Sequence, residues 1–169
     1  MIIEVTGRLV INYRARERIN GRLAWCELPY PGHPKGCPNF KGSCQTFPRI
    51  HEYFDLEKPH WFCIQEFNIA DHAAKMKAAH PDWSDRMCRN VLYWQNGVRA
   101  QLHRECSKFL LDVTTITAQW TTIPEMMGVN VILTMRRLGL EIELKPVHIV
   151  RKVALIAWRK KDVRWKPLR

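Results

Sequence analysis

Three of the chain's six cysteines fall within nineteen residues, in Cys26-ELPYPGHPKG-Cys37-PNFKGS-Cys44. Thiolates are soft ligands, and three of them on a stiff loop form the start of a metal site. The prolines reduce the freedom such a loop loses on closing. Its glycines allow close backbone approach and leave amides to face sulfur. The spacing C-x10-C-x6-C lacks the C-x2-C pair of zinc ribbons and ferredoxins. Cys37-Pro38 matches the Cys-Pro that follows a ligand in some iron–sulfur runs. Two cofactors fit: an iron–sulfur cluster, with [4Fe–4S] preferred, or a structural zinc with His33 or His51 as fourth ligand. Three thiolates on four irons would leave one iron open to an external ligand. Unrelated loop thiols are the plain alternative.

Other side chains form a second tier. Cys63 is the candidate fourth ligand, while Cys88 and Cys106 read as packed or surface thiols. Gln95 and Arg99 are four apart on a helical pattern and share a face, where they could bind an anionic or amide-bearing substrate. Glu125, in the first turn of another helix, favours the dipole and is a weaker catalytic candidate. Arg151 to Arg169 carries eight Lys/Arg against one Asp, much of the net +11. Arg159, Lys160, Lys161, Arg164 and Lys166, with Trp158 and Trp165, suit phosphate contact and base stacking, so nucleic acid or a nucleotide is the expected partner. A solvated basic edge reads equally well.

These residues need elements to position them. The β-branched start, with Asn20-Gly21 as a hairpin turn, reads as β over the first 25 residues. Residues 27–50 are a Pro/Gly-rich loop. WFCIQEF (61–67) alternates as a strand, with Trp61, Cys63 and Gln65 on one face and Phe62, Ile64 and Glu66 on the other. Asn68 caps a helix to about His80, and Ser84 caps a longer one to about Leu111. VTTITAQW (113–120) is β. Pro124 starts a third helix that Gly139 ends, and LEIEL (140–144) and 147–158 are closing strands. The fold class is α+β, a mainly antiparallel sheet with about three helices on one face. One domain spans 1–158, followed by a basic tail, 159–169.

The 169 residues are 46% hydrophobic and 25% charged, as a globular chain requires. No stretch reaches the roughly 20 apolar residues of a membrane span. The first residues lack a signal peptide's apolar run, which points to the cytoplasm, where thiols stay reduced. Dinucleotide, P-loop and serine-hydrolase motifs are absent from the sequence.

CELPYPGHPKGCPNFKGSC, CRNVLYWQNGVRAQL (88–102) and IPEMMGVNVILTMRRLGLEIE (123–143) together resemble an uncharacterised family of small predicted metal-binding (iron–sulfur) proteins of archaea, bacteria and phages. The matching pieces reach across most of the chain in the same order, and the resemblance implies Cys26, Cys37 and Cys44 as the ligands. It lacks the second, C-x2-C cluster of some related proteins. In ligand number and size alone, the chain is also similar to small enzymes that remove sulfur from thiolated bases at a three-cysteine cluster. That analogy implies redox or sulfur-transfer chemistry, and the redox case calls for an electron-donor protein. The rival expectation is a zinc-stabilised nucleic-acid-binding or adaptor module without catalysis.

Overall fold

The computed structural model describes residues 1–29, 34–40, 42–90, 95–112, 118–142, 148–161 and 163. Its elements in chain order are β1 (Ile2–Glu4), α1 (Ile50–Tyr53), β2 (Phe54–Asp55), β3 (Trp61–Asn68), α2 (Ile69–Ala79), α3 (Asp85–Cys88), α4 (Gln95–Asp112), β4 (Ala118–Thr121), α5 (Val131–Arg137) and β5 (Ile149–Arg159). Short 3-10 turns lie at Tyr13–Ala15, Trp25–Glu27, Ser43–Thr46 and Pro124–Met127. The class is α+β, and all strand pairs are antiparallel.

β5 is the spine of the sheet. Its residue Ile156 pairs with both Trp61 of β3 and Trp120 of β4, so those strands lie on its opposite edges. β2 joins at the end of the β3 edge, through Phe54 and Arg159. β1 flanks β3 on the far side. Alternation along β3 and β5 gives the sheet two apolar faces. Phe62, Ile64, Val153 and Leu155 face a core with Ile50, Met127, Val131 and Met135. Cys63, Ala154 and Ile156 face Leu102 and Cys106 of α4. The helices are therefore divided between both faces, not gathered on one: a sheet apolar on both sides has to be covered twice.

Several local expectations change in the structure. Asn68 does cap α2, its side chain accepting from the amides of Ala70 and Asp71. Ser84 caps only α3, and Asn90 lies outside any helix. Within α3, Met87 is exposed and Cys88 is buried. The expected Pro124–Gly139 helix is split at Gly128, whose φ is +98°. A Cβ there would lie 2.2 Å from the Tyr13 ring, so the turn admits only glycine. Asn130 then caps α5 through the amide of Leu133. Residues 140–142 are not a strand; Leu140 and Ile142 pack against the core instead.

The N-terminal β expectation holds only for β1. Asn20 and Gly21 do form a positive-φ turn closing an Ile19–Arg22 bridge, but no ladder follows. Asn12 accepts from the amide of Arg14 and bends the chain into a 3-10 turn instead of a strand. The basic end is docked further than expected. Arg159 is still in β5, Lys160 donates its amide to the Tyr53 carbonyl, and Val163 packs on the core. No helix among the described residues is long and apolar enough to cross a membrane.

Candidate metal centre

The cysteine loop has no regular element of its own. Cys26 lies in the 3-10 turn Trp25–Glu27, and Cys44 in the turn Ser43–Thr46. The Cys37 amide donates to the Cys26 carbonyl at 2.7 Å, which crosses the loop and brings two of the three ligand candidates together. Gly36, at φ +83°, permits this approach. A Cβ on it would lie 2.6 Å from the Cys26 carbonyl oxygen and 2.8 Å from that of Glu27.

Polar ties hold this loop. Glu27 accepts from the Ala24 amide at 2.9 Å and pairs with Arg18 at 2.5 Å. Arg16 donates to the carbonyls of Phe47 (2.6 Å), Met126 (2.8 Å) and Gln45 (3.2 Å). It thereby fastens the end of the loop to the Pro124–Met127 turn. Met126 completes that contact, its sulfur 3.9 Å from the Cys44 sulfur. Neither Arg16 nor Met126 stands out in the sequence, since nothing in a lone Arg or Met says which distant carbonyl or thiol it will reach.

The thiols sense one another. Burial pushes the Cys26 thiol above its ordinary value, and the charges of Cys37 and Cys44 push it further. Cys44 is also raised, first by burial and then by Cys37, with which it shares a hydrogen bond; the Arg16 guanidinium opposes the shift. A thiol raised by neighbouring thiols resists ionising together with them unless a cation lies among them. The donor set is therefore chemically suited to a thiophilic metal. Among the described residues, no group of three or more His, Cys, Asp and Glu stands ready-assembled around a metal position. Cys37 and Cys44 both lie near enough to Cys26 to act on its thiol.

The fourth-ligand candidates fare differently. Cys63 is fully buried on the α4 face of β3, where it shares a hydrogen bond with Cys106. The loop's Phe47 packs on the opposite face, with Phe62 and Ile64. The register of β3 thus turns Cys63 away from the loop, and the structure does not bring it to the other three. His51 is bound to the Tyr13 hydroxyl at 2.7 Å. His33 lies outside the described residues.

A cleft of about 390 Å³ lies behind the Pro124–Met127 turn. It is lined by Arg99 and Leu102 of α4, Thr122, Ile123 and Glu125, and Arg151, Lys152 and Val153 of β5. Glu125 is exposed by surface area, yet the protein around it raises its carboxyl above the ordinary value; its own amide and Lys152 pull the other way. The side chain of Gln95 lies outside the described residues, so only Arg99 of that pair is placed. The short turn thus joins two sites: Met126 touches Cys44, and Glu125 faces the cleft.

Arg159, Lys160 and Lys161 line a second, wider cleft with His51, Asp55, Glu57 and Lys58. Its two carboxylates temper the basic charge. Lys58 lies over the Trp158 ring, 5.5 Å from its centroid. Arg164, Trp165 and Lys166 lie outside the described residues. No protein-family model, curated protein or solved structure matches the chain.

Proposed function

We propose that this is a cytoplasmic metal-binding protein in which Cys26, Cys37 and Cys44 hold an iron–sulfur cluster, of [4Fe–4S] type. In this reading it serves redox or sulfur-transfer chemistry on a nucleotide or nucleic acid, with an electron-donor protein supplying reducing equivalents in the redox case. The observation that carries the reading is the loop crossing, where the Cys37 amide donates to the Cys26 carbonyl at 2.7 Å, with Cys37 and Cys44 both near enough to raise the Cys26 thiol. The likeness of CELPYPGHPKGCPNFKGSC to predicted iron–sulfur proteins supports the same ligands. When bound, such a cluster would supply an iron position that no protein thiolate fills.

The chain's own residues have simpler duties. Gly36 and the Cys37 amide set the distance between the two sides of the loop. Arg16 locks the loop against the Met126 turn and places positive charge beside Cys44. Arg99 offers a cation on the far side of that turn, and Arg159, Lys160 and Lys161 offer others at the end of β5.

Anaerobic purification followed by iron, sulfide and zinc analysis tests the reading. A brown protein with iron and sulfide in equal amounts is expected. Both should be lost in Cys26→Ala, Cys37→Ala and Cys44→Ala, with the sheet retained by circular dichroism. Stoichiometric zinc without sulfide would overturn the cluster and favour the zinc-stabilised nucleic-acid-binding or adaptor module. Full iron in all three variants would overturn the ligand assignment.

A further inference from the structure

We infer that the cleft between α4, the Thr122–Glu125 segment and β5 is a mononucleotide site, with Arg99 and Lys152 taking the phosphate and Glu125 the N–H edge of the base. This rests on the nucleotide half of the function proposed above and is independent of its metal half.

Arg151 is held by the Glu66 carboxylate and donates to the Glu141 carbonyl at 2.9 Å, so its charge is matched within the protein. Arg99 and Lys152 form no hydrogen bond or ion pair among the described residues. They come from different elements, a helix and a strand, yet they line one concavity. Lys152 also attracts the Glu125 carboxyl across the cleft, whereas Arg99 has no such partner among the described residues. Two cations meeting in one cleft suit an anion, and guanidinium pairs well with phosphate.

The rest of the wall excludes a bare anion. Leu102 is buried, and with Ile123 and Val153 it gives the cleft an apolar side suited to a flat ring. Glu125 faces the same space and would repel a ligand that carried only negative charge. The surrounding protein disfavours its ionised form, so a ligand offering N–H donors there relieves a cost already present. A guanine edge presents adjacent N–H groups that a carboxylate can accept together. The volume of about 390 Å³ lies in the range of small-molecule sites, roughly 300–1,000 Å³. Phosphate for the cations, a flat ring for the apolar side and N–H donors for Glu125 together match the lining of the cleft.

Isothermal titration of the full chain with GMP, AMP and inorganic phosphate tests the inference, run on protein as purified and after chelation. GMP is expected to bind more tightly than AMP or phosphate. Arg99→Gln and Lys152→Gln should each weaken GMP about tenfold, the scale of one lost charge-assisted contact. Glu125→Gln should weaken GMP but not phosphate. Lys108→Gln, exposed on α4 and not lining the cleft, should bind as the parent does. Circular dichroism checks folding, and the two cation variants lie on separate elements, so a defect in one leaves the other readable. GMP affinity unchanged by chelation sustains the inference whatever the metal assay returns. It is overturned by the absence of GMP binding to folded parent protein, by parent-like affinity in both Arg99→Gln and Lys152→Gln, or by phosphate binding as tightly as GMP. Loss of GMP binding in Lys108→Gln or only after chelation would place the ligand elsewhere and also overturn it.

Discussion

Cysteine occurs in two settings in this chain, and they differ in what holds the thiol. Cys63 and Cys106 lie on β3 and α4, fully buried among Leu102, Ala154 and Ile156. Their hydrogen bond to each other splits their acidities, raising Cys106 and lowering Cys63. Cys26 and Cys37 are half-buried on a loop whose ties are polar: the Arg16 contacts to main-chain carbonyls, the Glu27–Arg18 pair and one amide across the loop. The first setting is made by apolar packing of regular elements. The second is made by individual hydrogen bonds and one glycine. A thiol pair in the core serves the fold, whereas three thiols on a hydrogen-bonded loop can still move toward a ligand.

The largest expected effect tests whether the two settings are energetically separate. Leu102 packs directly on Cys63 and Cys106 and is 2% exposed. Leu102→Ala should cost about 2–5 kcal/mol of stability, through lost transfer energy and the cavity left behind. Urea unfolding reads this cost. Metal content at low temperature, where the variant stays folded, should match the parent. A parallel fall in metal content would break the comparison, because it would mean that the α4 face also supports the loop.

The two settings were also unequally legible in the sequence. The Cys63 environment follows from local rules: WFCIQEF alternates, and the strand places Trp61 and Cys63 opposite Phe62 and Ile64. The Asn68 cap and the Pro124 start were readable for the same reason, since each is decided within one helical turn. The cysteine spacing singled out the loop but not its fastenings. Arg16 reaches Met126 across 110 residues of chain, and Tyr13 forces a break at Gly128 from a similar distance. Such contacts depend on where the sheet carries each segment, and no periodicity encodes them. The same limit explains Cys63 as a candidate ligand: residue type suggested it, whereas strand register decides which face it takes.

A smaller effect should come from Gly36, and it should stay local. Gly36→Ala would put a Cβ within 2.6 Å of one backbone oxygen and 2.8 Å of another, at a φ of +83° that alanine rarely adopts. Strain of about 1–3 kcal/mol is expected there. The loop would relieve it by separating Gly36 from Cys26 and Glu27. Timed iodoacetamide labelling read by mass spectrometry should then show faster modification of Cys26 and Cys37. Cys63 and Cys106 should keep their parent protection. Faster labelling of all four thiols would show that the loop and the core open together.

The smallest effect belongs to Glu125, which sits on the turn joining the two regions. Its neighbour Met126 touches Cys44, and Met127, one residue further on, is in the core. Surrounding protein raises the Glu125 carboxyl, so the folded chain holds that proton more tightly than the unfolded chain does. The stabilising contribution is therefore complete below the ordinary carboxylate value of about 4.3 and is lost as pH rises through the higher folded value. Glu125→Gln removes the ionisation and should make the protein more stable than the parent at neutral pH. The gain should be only about a few tenths of a kcal/mol, since solvent screens an exposed side chain. Urea midpoints of parent and variant should converge as pH falls toward 4 and separate with the variant ahead as pH rises to 7. A variant less stable at pH 7 would mean that the ionised carboxylate is favoured in the fold, with the attraction of Lys152 outweighing the cost of burial.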